Sequence, residues 1–301
     1  MKIGYPCINR SIGCTTNSTF RLASYSDDRL KETIKNNIEC LIKILNYNQE
    51  KGFYFFRISS DIIPFASHPV CTFDWEKQFK KEFREAGDFI KQNKMRISMH
   101  PDQFVLLNSP HEDVVDKSIK ELDYHCLVLD SMELDRTAKI QIHVGGVYKA
   151  KPQAIERFIK RYKILSSSLK KRVVIENDDR LYSLRDCLEI QAHTGLPVLF
   201  DTLHHECLNH GETKREAIET ALRTWKTEDG ILMVDYSSQE KGAKKGKHAE
   251  SIDVNNFKDF LRETQGLDFD IMLEIKDKEK SAAQAIEWVH KLNQKNHINF
   301  F

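Results

Sequence analysis

The stretch Val173-Val174-Ile175-Glu176 is a short apolar run that ends in a side chain able to bind a metal ion. Five more runs have the same form, each ending in a histidine or an acidic residue. They are Met95–His100, Ile140–His143, Val198–Asp201, Leu232–Asp235 and Ile271–Glu274. If these runs are parallel strands of one sheet, all six ends lie at the same edge. The pattern therefore predicts a metal site at the carboxyl ends of the strands.

Eight strand-like runs alternate with amphipathic helical segments along the whole chain. The strands are predicted at residues 2–5, 53–58, 95–100, 139–144, 172–176, 197–201, 231–236 and 270–275. The helices are predicted at residues 30–45, 75–90, 111–134, 155–169, 181–193, 213–226, 253–264 and 280–293, with polar caps before three of them. Eight βα units favour an α/β fold of the closed TIM (β/α)8 barrel type over an open doubly wound sheet. We predict a single barrel domain over residues 1–301.

Composition narrows the class of protein. Lys and Arg number 46 against 45 Asp and Glu, so any surface that binds DNA must be local. The chain has no G-x-G-x-x-G or G-x-x-x-x-G-K-[ST] motif, which argues against a nucleotide cofactor. The seven cysteines lack paired spacing and predict reduced thiols rather than disulfides. No signal peptide or membrane span is evident, so we expect a soluble cytoplasmic protein that associates with the nucleoid when bound to DNA.

The ligand types at the strand ends indicate a catalytic metal centre. Imidazole and carboxylate groups without cysteine suit zinc, manganese or iron more than a structural zinc site. A single histidine at a strand end is usually an ordinary polar residue, but this many charged ends would be costly to bury without a cation. Further candidates near this edge are His68, His204, His248 and, as the weaker choice, His205. Bridging by Glu176, Asp201 and Glu274 would support phosphodiester hydrolysis, with sugar isomerisation as the competing metal chemistry.

Nine short motifs lie at the ends of the predicted strands or just beyond them. They are Gly4-Tyr5-Pro6-Cys7-Ile8-Asn9, Arg57–Pro64, Ser67-His68-Pro69, Ser98–Phe104, Ile142–Gly146, Glu176-Asn177-Asp178, Asp201–His205, Asp235–Gln239 and Leu273–Glu279. Their order and spacing, over nearly the whole chain, resemble those of UV damage endonucleases, a family similar in architecture to endonuclease IV. The resemblance implies metal-assisted incision of DNA immediately 5′ to a cyclobutane pyrimidine dimer or 6-4 photoproduct, leaving 3′-hydroxyl and 5′-phosphate ends.

The resemblance also implies roles for particular residues. The metal ligands would be His100, His143, Glu176, Asp201, His204, Asp235, His248 and Glu274, and the catalytic groups Glu176, His68, Asp201 and Glu274. The expected cofactor is Mn²⁺, roughly two or three ions, with Zn²⁺, Co²⁺ and Mg²⁺ as alternatives. Gln103 and Phe104 would be inserted into the duplex where damaged bases leave the stack, and Tyr5 and Asn9 would line the lesion pocket. Some relatives carry a modified lysine two positions before the ligand of the seventh strand, where this chain has Met233.

Damaged double-stranded DNA, bound by a monomer, is the expected partner. Phosphate binding depends on local basic side chains because it releases counterions. The candidates are Lys244, Lys245 and Lys247 in the basic loop 241–247, and Lys149 and Lys151 after the predicted strand 139–144. Tyr148, next to Lys149, is expected to contact DNA by packing on a sugar or base. A cluster of lysines such as that in loop 241–247 is equally well explained as a solvent-exposed loop that does not bind DNA. Three alternatives stay open: an abasic-site endonuclease, a metal-dependent sugar isomerase or epimerase, and a non-enzymatic DNA-binding module.

Overall fold

Eight short parallel strands close into a barrel in the computed structural model, which describes residues 1–296. The strands are β1 (Ile3–Pro6), β2 (Phe55–Ile58), β3 (Arg96–Met99), β4 (Lys139–His143), β5 (Val173–Glu176), β6 (Val198–Asp201), β7 (Leu232–Tyr236) and β8 (Phe269–Leu273). Each strand pairs in parallel with the next, and β8 pairs with β1. The predicted (β/α)8 barrel is confirmed, and every strand begins and ends within two residues of its predicted bounds.

Helices surround the barrel and follow the predicted pattern with three differences. They are α1 (Asp27–Lys51), α2 (Trp75–Gln78), α3 (Lys80–Gln92), α4 (Glu112–Ser131), α5 (Lys151–Ile164), α6 (Ser167–Arg172), α7 (Leu184–Thr194), α8 (Thr202–Cys207), α9 (Lys214–Leu222), α10 (Val254–Glu263) and α11 (Glu279–Asn296). The predicted segments 75–90 and 155–169 each form two helices, α8 was not predicted, and Ser281 lies inside α11 rather than before it. Ser26 and Asp74 cap α1 and α2 as expected. None of the helices described is long and apolar enough to cross a membrane.

The barrel interior is built in layers, because alternate residues of a strand point to the same face. One layer is apolar and fully buried, and consists of Phe55, Val174, Leu199, Met233 and Met272. Two residues further along the same strands stand Arg57, Glu176, Asp201, Asp235 and Glu274. A polar layer at the carboxyl ends of the strands therefore rests on an apolar floor.

Ion pairs occupy the amino end of the barrel. Lys139 Nζ lies 2.7 Å from Asp229 Oδ1, and Arg96 Nη1 lies 3.3 Å from Asp270 Oδ2. Burial lowers the pKa of Lys139 to about 8, although Asp229 acts in the opposite direction. Each of these buried charges is paired with an opposite charge, so the charges give no reason to place a ligand at this end.

One pair of cysteines contradicts the predicted reduced thiols. Cys14, in the segment between β1 and α1, forms a disulfide with Cys40 in α1, with the two Cα atoms 5.9 Å apart. The other five cysteines are free. The prediction was wrong because pairing depends on how the β1–α1 segment folds back on the helix, and the spacing of cysteines along the chain does not record this.

Candidate metal centre

Seven predicted side chains meet at the carboxyl ends of the strands and form three overlapping groups. In each group the candidate ligand atoms lie within 4.8 Å of one another. The groups are His100, His143 and Glu176; then Glu176, Asp201 and His204; then Asp201, Asp235 and Glu274. Glu176 belongs to the first two groups and Asp201 to the last two, whereas Glu274, the third carboxylate expected to bridge ions, belongs to one group only.

His204 reaches the cluster from α8, a helix that replaces the loop expected after β6. Asp201 caps this helix, and its Oδ1 accepts a hydrogen bond of 2.6 Å from the His204 backbone N–H. The imidazole Nδ1 of His204 lies 2.9 Å from the Asn177 carbonyl and 3.1 Å from Glu176 Oε1. Because Asp201 serves both as cap and as candidate ligand, the start of α8 fixes the position of His204.

The electrostatics of the cluster favour positive charge. Burial acts to raise the pKa of Glu176, but His143 and His204 outweigh it and lower the pKa to about 2. Burial raises the pKa of Asp201 to about 6. Burial also lowers the pKa of His100 to about 4. Although burial opposes it, Asp201 and Glu176 raise the pKa of His204 to about 12. Glu176 and Asp201 thus favour the protonated, imidazolium form of His204.

Unpaired buried atoms show that these residues fit divalent ions. His143 Nδ1, Asp201 Oδ2 and Asp235 Oδ1 are buried and have no hydrogen-bond partner among the residues the structure describes. A buried carboxylate oxygen without a partner is costly unless a cation offsets its charge. The donors are nitrogen and oxygen atoms, a set that suits manganese, zinc or iron. The cluster therefore has the free donor atoms that a metal centre needs.

Arg57 and Gln141 also belong to this site, although the sequence analysis assigned them no role in it. Arg57 Nη2 donates to Asp235 Oδ2 and to Gln141 Oε1, each at 2.7 Å, and Nη1 donates to Glu274 Oε1. Gln141 Nε2 donates to Glu176 Oε2 at 2.9 Å and to Asp235 Oδ2 at 2.7 Å. The sequence feature that pointed to them was a polar residue inside each of two apolar strands, at a position whose side chain faces the barrel interior.

Three predicted histidines stand outside the three groups. His248 is adjacent, with Nδ1 2.8 Å from the Glu274 carbonyl and 3.8 Å from Glu274 Oε2. His68 is exposed on a turn, where its Nδ1 accepts from the Val70 N–H at 3.1 Å. His205 is buried, and its Nε2 lies 3.1 Å from the Glu212 carbonyl, a contact that ties it to the α8–α9 loop rather than to the cluster. The catalytic role expected of His68 has no support from its contacts in this structure.

Tyr5 and Asn9 are placed differently from the expectation that they line an accessible lesion pocket. The Tyr5 hydroxyl donates to Asn48 Oδ1 at 2.6 Å and accepts from Asn9 Nδ2 at 2.8 Å. Both side chains are buried, with Asn9 only 3% exposed. In this conformation they pack the end of the barrel, because each has its hydrogen-bonding partner inside the protein.

A cavity of about 440 Å³ opens beside the histidine end of the cluster. Its lining includes His100, Gln103, Leu106, His143, Leu181 and His204. Gln103 and Phe104 are exposed, Phe104 by 47%. A larger cavity of about 990 Å³ lies against α1 and α3, away from the cluster, so size alone does not identify the site. The smaller cavity is the relevant one because it adjoins the candidate ligands.

The predicted basic residues differ in their exposure and in their contacts within the protein. Lys244, Lys245 and Lys247 are exposed on a hairpin whose base is an antiparallel bridge between Gln239 and His248. Within this hairpin Lys245 Nζ donates to the Cys207 carbonyl at 2.9 Å. The hairpin therefore starts beside the candidate metal centre, because His248 at its base contacts Glu274.

The second predicted basic segment follows β4. Lys149 is exposed, and Tyr148 is half-buried beneath the Arg157 guanidinium. Lys151 pairs with Asp186 at 2.7 Å and lies over the Tyr182 ring. Lys151 is thus engaged within the protein and is the least available of the predicted phosphate contacts.

Comparison with known proteins shows strong similarity to one family. Residues 1–300 match the family described as "UV-endonuclease UvdE". A UV DNA damage endonuclease of Clostridium perfringens is 44% identical over 296 residues, which cover 98% of this chain and 72% of that relative. A UV DNA damage endonuclease of Bacillus cereus is 35% identical over 263 residues, covering 87% of this chain and 83% of that relative.

Solved structures support the same relationship. The crystal structure of SacUVDE matches with a TM-score of 0.94 and 46% identity, covering 97% of this chain and 99% of that one. Endonuclease IV from Thermus thermophilus matches with a TM-score of 0.58 at 15% identity, covering 85% of this chain and 95% of that one. D-psicose 3-epimerase from Clostridium cellulolyticum matches with a TM-score of 0.53 at 13% identity, covering 83% and 92%. The last two share the fold alone.

Proposed function

This chain belongs to the UV-endonuclease UvdE family, and we propose that it is a metal-dependent endonuclease that cuts DNA immediately 5′ to a UV photoproduct. The observation that carries this proposal is the set of three overlapping ligand groups, which share Glu176 and Asp201. A row of cation positions suits phosphodiester hydrolysis, because both the attacking and the leaving oxygen need stabilisation. The expected products have 3′-hydroxyl and 5′-phosphate ends.

The candidate ligands and their neighbours have different roles in this proposal. When bound, divalent ions, most suitably Mn²⁺, would polarise the phosphate and lower the pKa of a water. Glu176 and Asp201 would bridge neighbouring ions. His100 and His143 would hold the ion on the cavity side, and Asn177 fixes His204 through its carbonyl oxygen. Because these groups stand on strand ends and on a capped helix, their positions are set before substrate binds.

Damaged double-stranded DNA is the proposed substrate, bound by a monomer in the cytoplasm. Gln103 and Phe104 would fill a gap left by unstacked bases, and their exposure at the edge of the cavity that Gln103 lines supports this role. Lys244 and Lys247 on the hairpin 241–247 would contact phosphates, and Lys149 would add a contact from the β4–α5 loop. Tyr5 and Asn9 have no part in this proposal because they are buried.

Incision of labelled duplex oligonucleotides tests the proposal. Three duplexes would be compared, one UV-irradiated, one intact and one with an abasic site, each with Mn²⁺ or with EDTA. We expect cutting of the irradiated duplex at the bond 5′ to the photoproduct, with Mn²⁺ only. Equal cutting of the intact duplex, or no cutting at all with Mn²⁺, would overturn the proposal. Cutting of the abasic duplex alone would instead establish an abasic-site endonuclease.

Substitution of a shared ligand tests whether the cluster is the catalytic centre. Glu176→Gln should lower incision by at least about a hundredfold, since it removes a shared ligand of two groups. Its control is Glu133→Gln, which changes an exposed residue that pairs with Arg84. Full activity of Glu176→Gln would show that the cluster is not the catalytic centre.

The exposed pair next to the cavity is tested through discrimination. The double variant Gln103→Ala with Phe104→Ala should reduce the preference for irradiated over intact duplex, because nothing then supports the opened stack. Ile164→Ala is the matched control, since Ile164 is an exposed apolar residue at the far end of α5. An unchanged preference in the double variant would exclude the pair as a probe of DNA damage.

A further inference from the structure

Arg57 is a buried cation placed inside the acidic end of the cluster. It stands on β2, two residues after Phe55 of the apolar floor, and is 3% exposed. Its Nη2 lies 2.7 Å from Asp235 Oδ2, and its Nη1 donates to Glu274 Oε1. One guanidinium thus holds one oxygen of each carboxylate, a forked geometry that suits arginine and that lysine cannot reproduce.

Gln141 fixes the orientation of this guanidinium. Its Oε1 accepts from Arg57 Nη2, and its Nε2 donates to Glu176 and Asp235. The amide can be oriented in only one way, because a guanidinium has no acceptor and an ionised carboxylate has no donor. Arg57 is therefore held in place by three neutral or acidic partners and has little freedom to leave when another cation enters.

The three ligand groups consequently differ in charge. In the described chain, Glu176 and Asp201 contact the imidazole of His204, itself a candidate ligand, and neither is hydrogen-bonded to any lysine or arginine. In the third group, Asp235 and Glu274 each form an ion pair with Arg57. A cation entering that group finds its carboxylates already partly neutralised and meets a fixed positive charge nearby. The unpaired Asp201 Oδ2 and Asp235 Oδ1 still offer it ligand atoms.

We propose that Arg57 is a resident cation that makes the Asp201–Asp235–Glu274 group the weakest of the three cation positions. The other two groups fill first, and the third ion binds in a separate step at higher concentration. This inference rests on the metal-binding part of the proposed function and on no property of DNA. Arg57 acts through the carboxylates and is a positioning residue.

Titration of the full-length, metal-free protein with Mn²⁺ tests this, with the free ion followed by electron paramagnetic resonance. The wild type should show a weaker final step after the first two ions. In Arg57→Met the affinity of that final step should rise by at least about tenfold, because the competing charge is gone. Arg57→Lys keeps the charge and should keep the weak step.

Arg96→Met is the matched control, because it breaks a buried arginine–aspartate pair at the opposite end of the barrel. It should leave the Mn²⁺ steps unchanged even if it lowers stability. Three equivalent ions in the wild type, or an unchanged or weaker final step in Arg57→Met, would overturn the inference. If Arg57→Met does not fold, the wild-type and Arg57→Lys titrations decide. A wild type that binds no Mn²⁺ would contradict the proposed metal enzyme itself, which is a different outcome.

Discussion

The hydrogen bonds of Gln141 lead to a prediction about stability. Gln141→Leu keeps a side chain of similar size and removes one acceptor from Arg57 and one donor from Glu176. Asp235 Oδ2 keeps its contact with Arg57, so two charged groups are left short of a partner. Hydrogen bonds to charged groups contribute about 1.5–3 kcal/mol each, so with two such groups affected the free energy of unfolding should fall by about 3–6 kcal/mol.

Urea unfolding followed by circular dichroism measures this change, once with EDTA and once with Mn²⁺. The loss should be smaller with Mn²⁺, because an ion at Glu176 supplies the positive partner that Gln141 no longer provides. Gln141→Glu should lose about as much as Gln141→Leu in EDTA, since it retains the acceptor for Arg57 but adds a negative charge and donates nothing.

The control is Ser98→Ala. Ser98 of β3 is the residue paired with Arg57 of β2 in the strand register. Its buried hydroxyl has no hydrogen-bond partner in the described structure. Removing an unpaired hydroxyl should change the free energy of unfolding by less than about 0.5 kcal/mol. A loss below about 1 kcal/mol for Gln141→Leu in EDTA would refute the reasoning, because it would mean that the hydrogen bonds of Gln141 carry no net stabilisation.

Three further predictions concern the scaffold and the DNA surface. Cys14→Ser with Cys40→Ser should lower the free energy of unfolding by about 3.5 kcal/mol, the chain-entropy value for 26 residues of separation, and a reducing agent should destabilise the wild type alone. Burial lowers the pKa of His125 to about 4, so the unfolded chain takes up a proton first as pH falls through roughly 6.5, and stability is lost from there down to about pH 4. Between pH 7 and 5 this loss is about 2 kcal/mol, and His125→Phe should lack it in urea unfolding at the two pH values. Lys244→Gln with Lys247→Gln should reduce the slope of log binding constant against log salt concentration by about 2, and an unchanged slope would show that the hairpin does not touch phosphates.

The barrel was predictable from the sequence because its strands are apolar on both faces. A parallel sheet covered by helices produces continuous apolar runs, and each run here ends where the site begins, as at Glu176 and Asp201. Helix α8 was not predictable in this way. Its six residues are too short for a periodic pattern, and its start depends on the Asp201 cap, which the sequence presents equally well as a ligand.

The site itself was only partly predictable. Residues at strand ends share an edge whatever their identity, so the ligands could be grouped by topology alone. Buried partners such as Arg57 were missed, because the polar position inside an apolar run can be assigned to the interior face only once the strand register is known. Tyr5 illustrates a different limit: the resemblance implied that it lines the lesion pocket, but the structure shows that Asn48 of α1 accepts a hydrogen bond from its hydroxyl and that the side chain is buried.

The surroundings of Met233 explain why an apolar residue suits this position. The resemblance points to a lysine here in some relatives, yet this side chain is fully buried in the apolar floor with Phe55, Val174, Leu199 and Met272. Arg57 delivers its positive charge from β2 to Asp235, the residue two positions after Met233. A lysine at position 233 would bring a second buried cation toward the same carboxylate, where it would be repelled by the first and could not be solvated. An apolar residue at this position is therefore consistent with a site whose fixed cation comes from another strand.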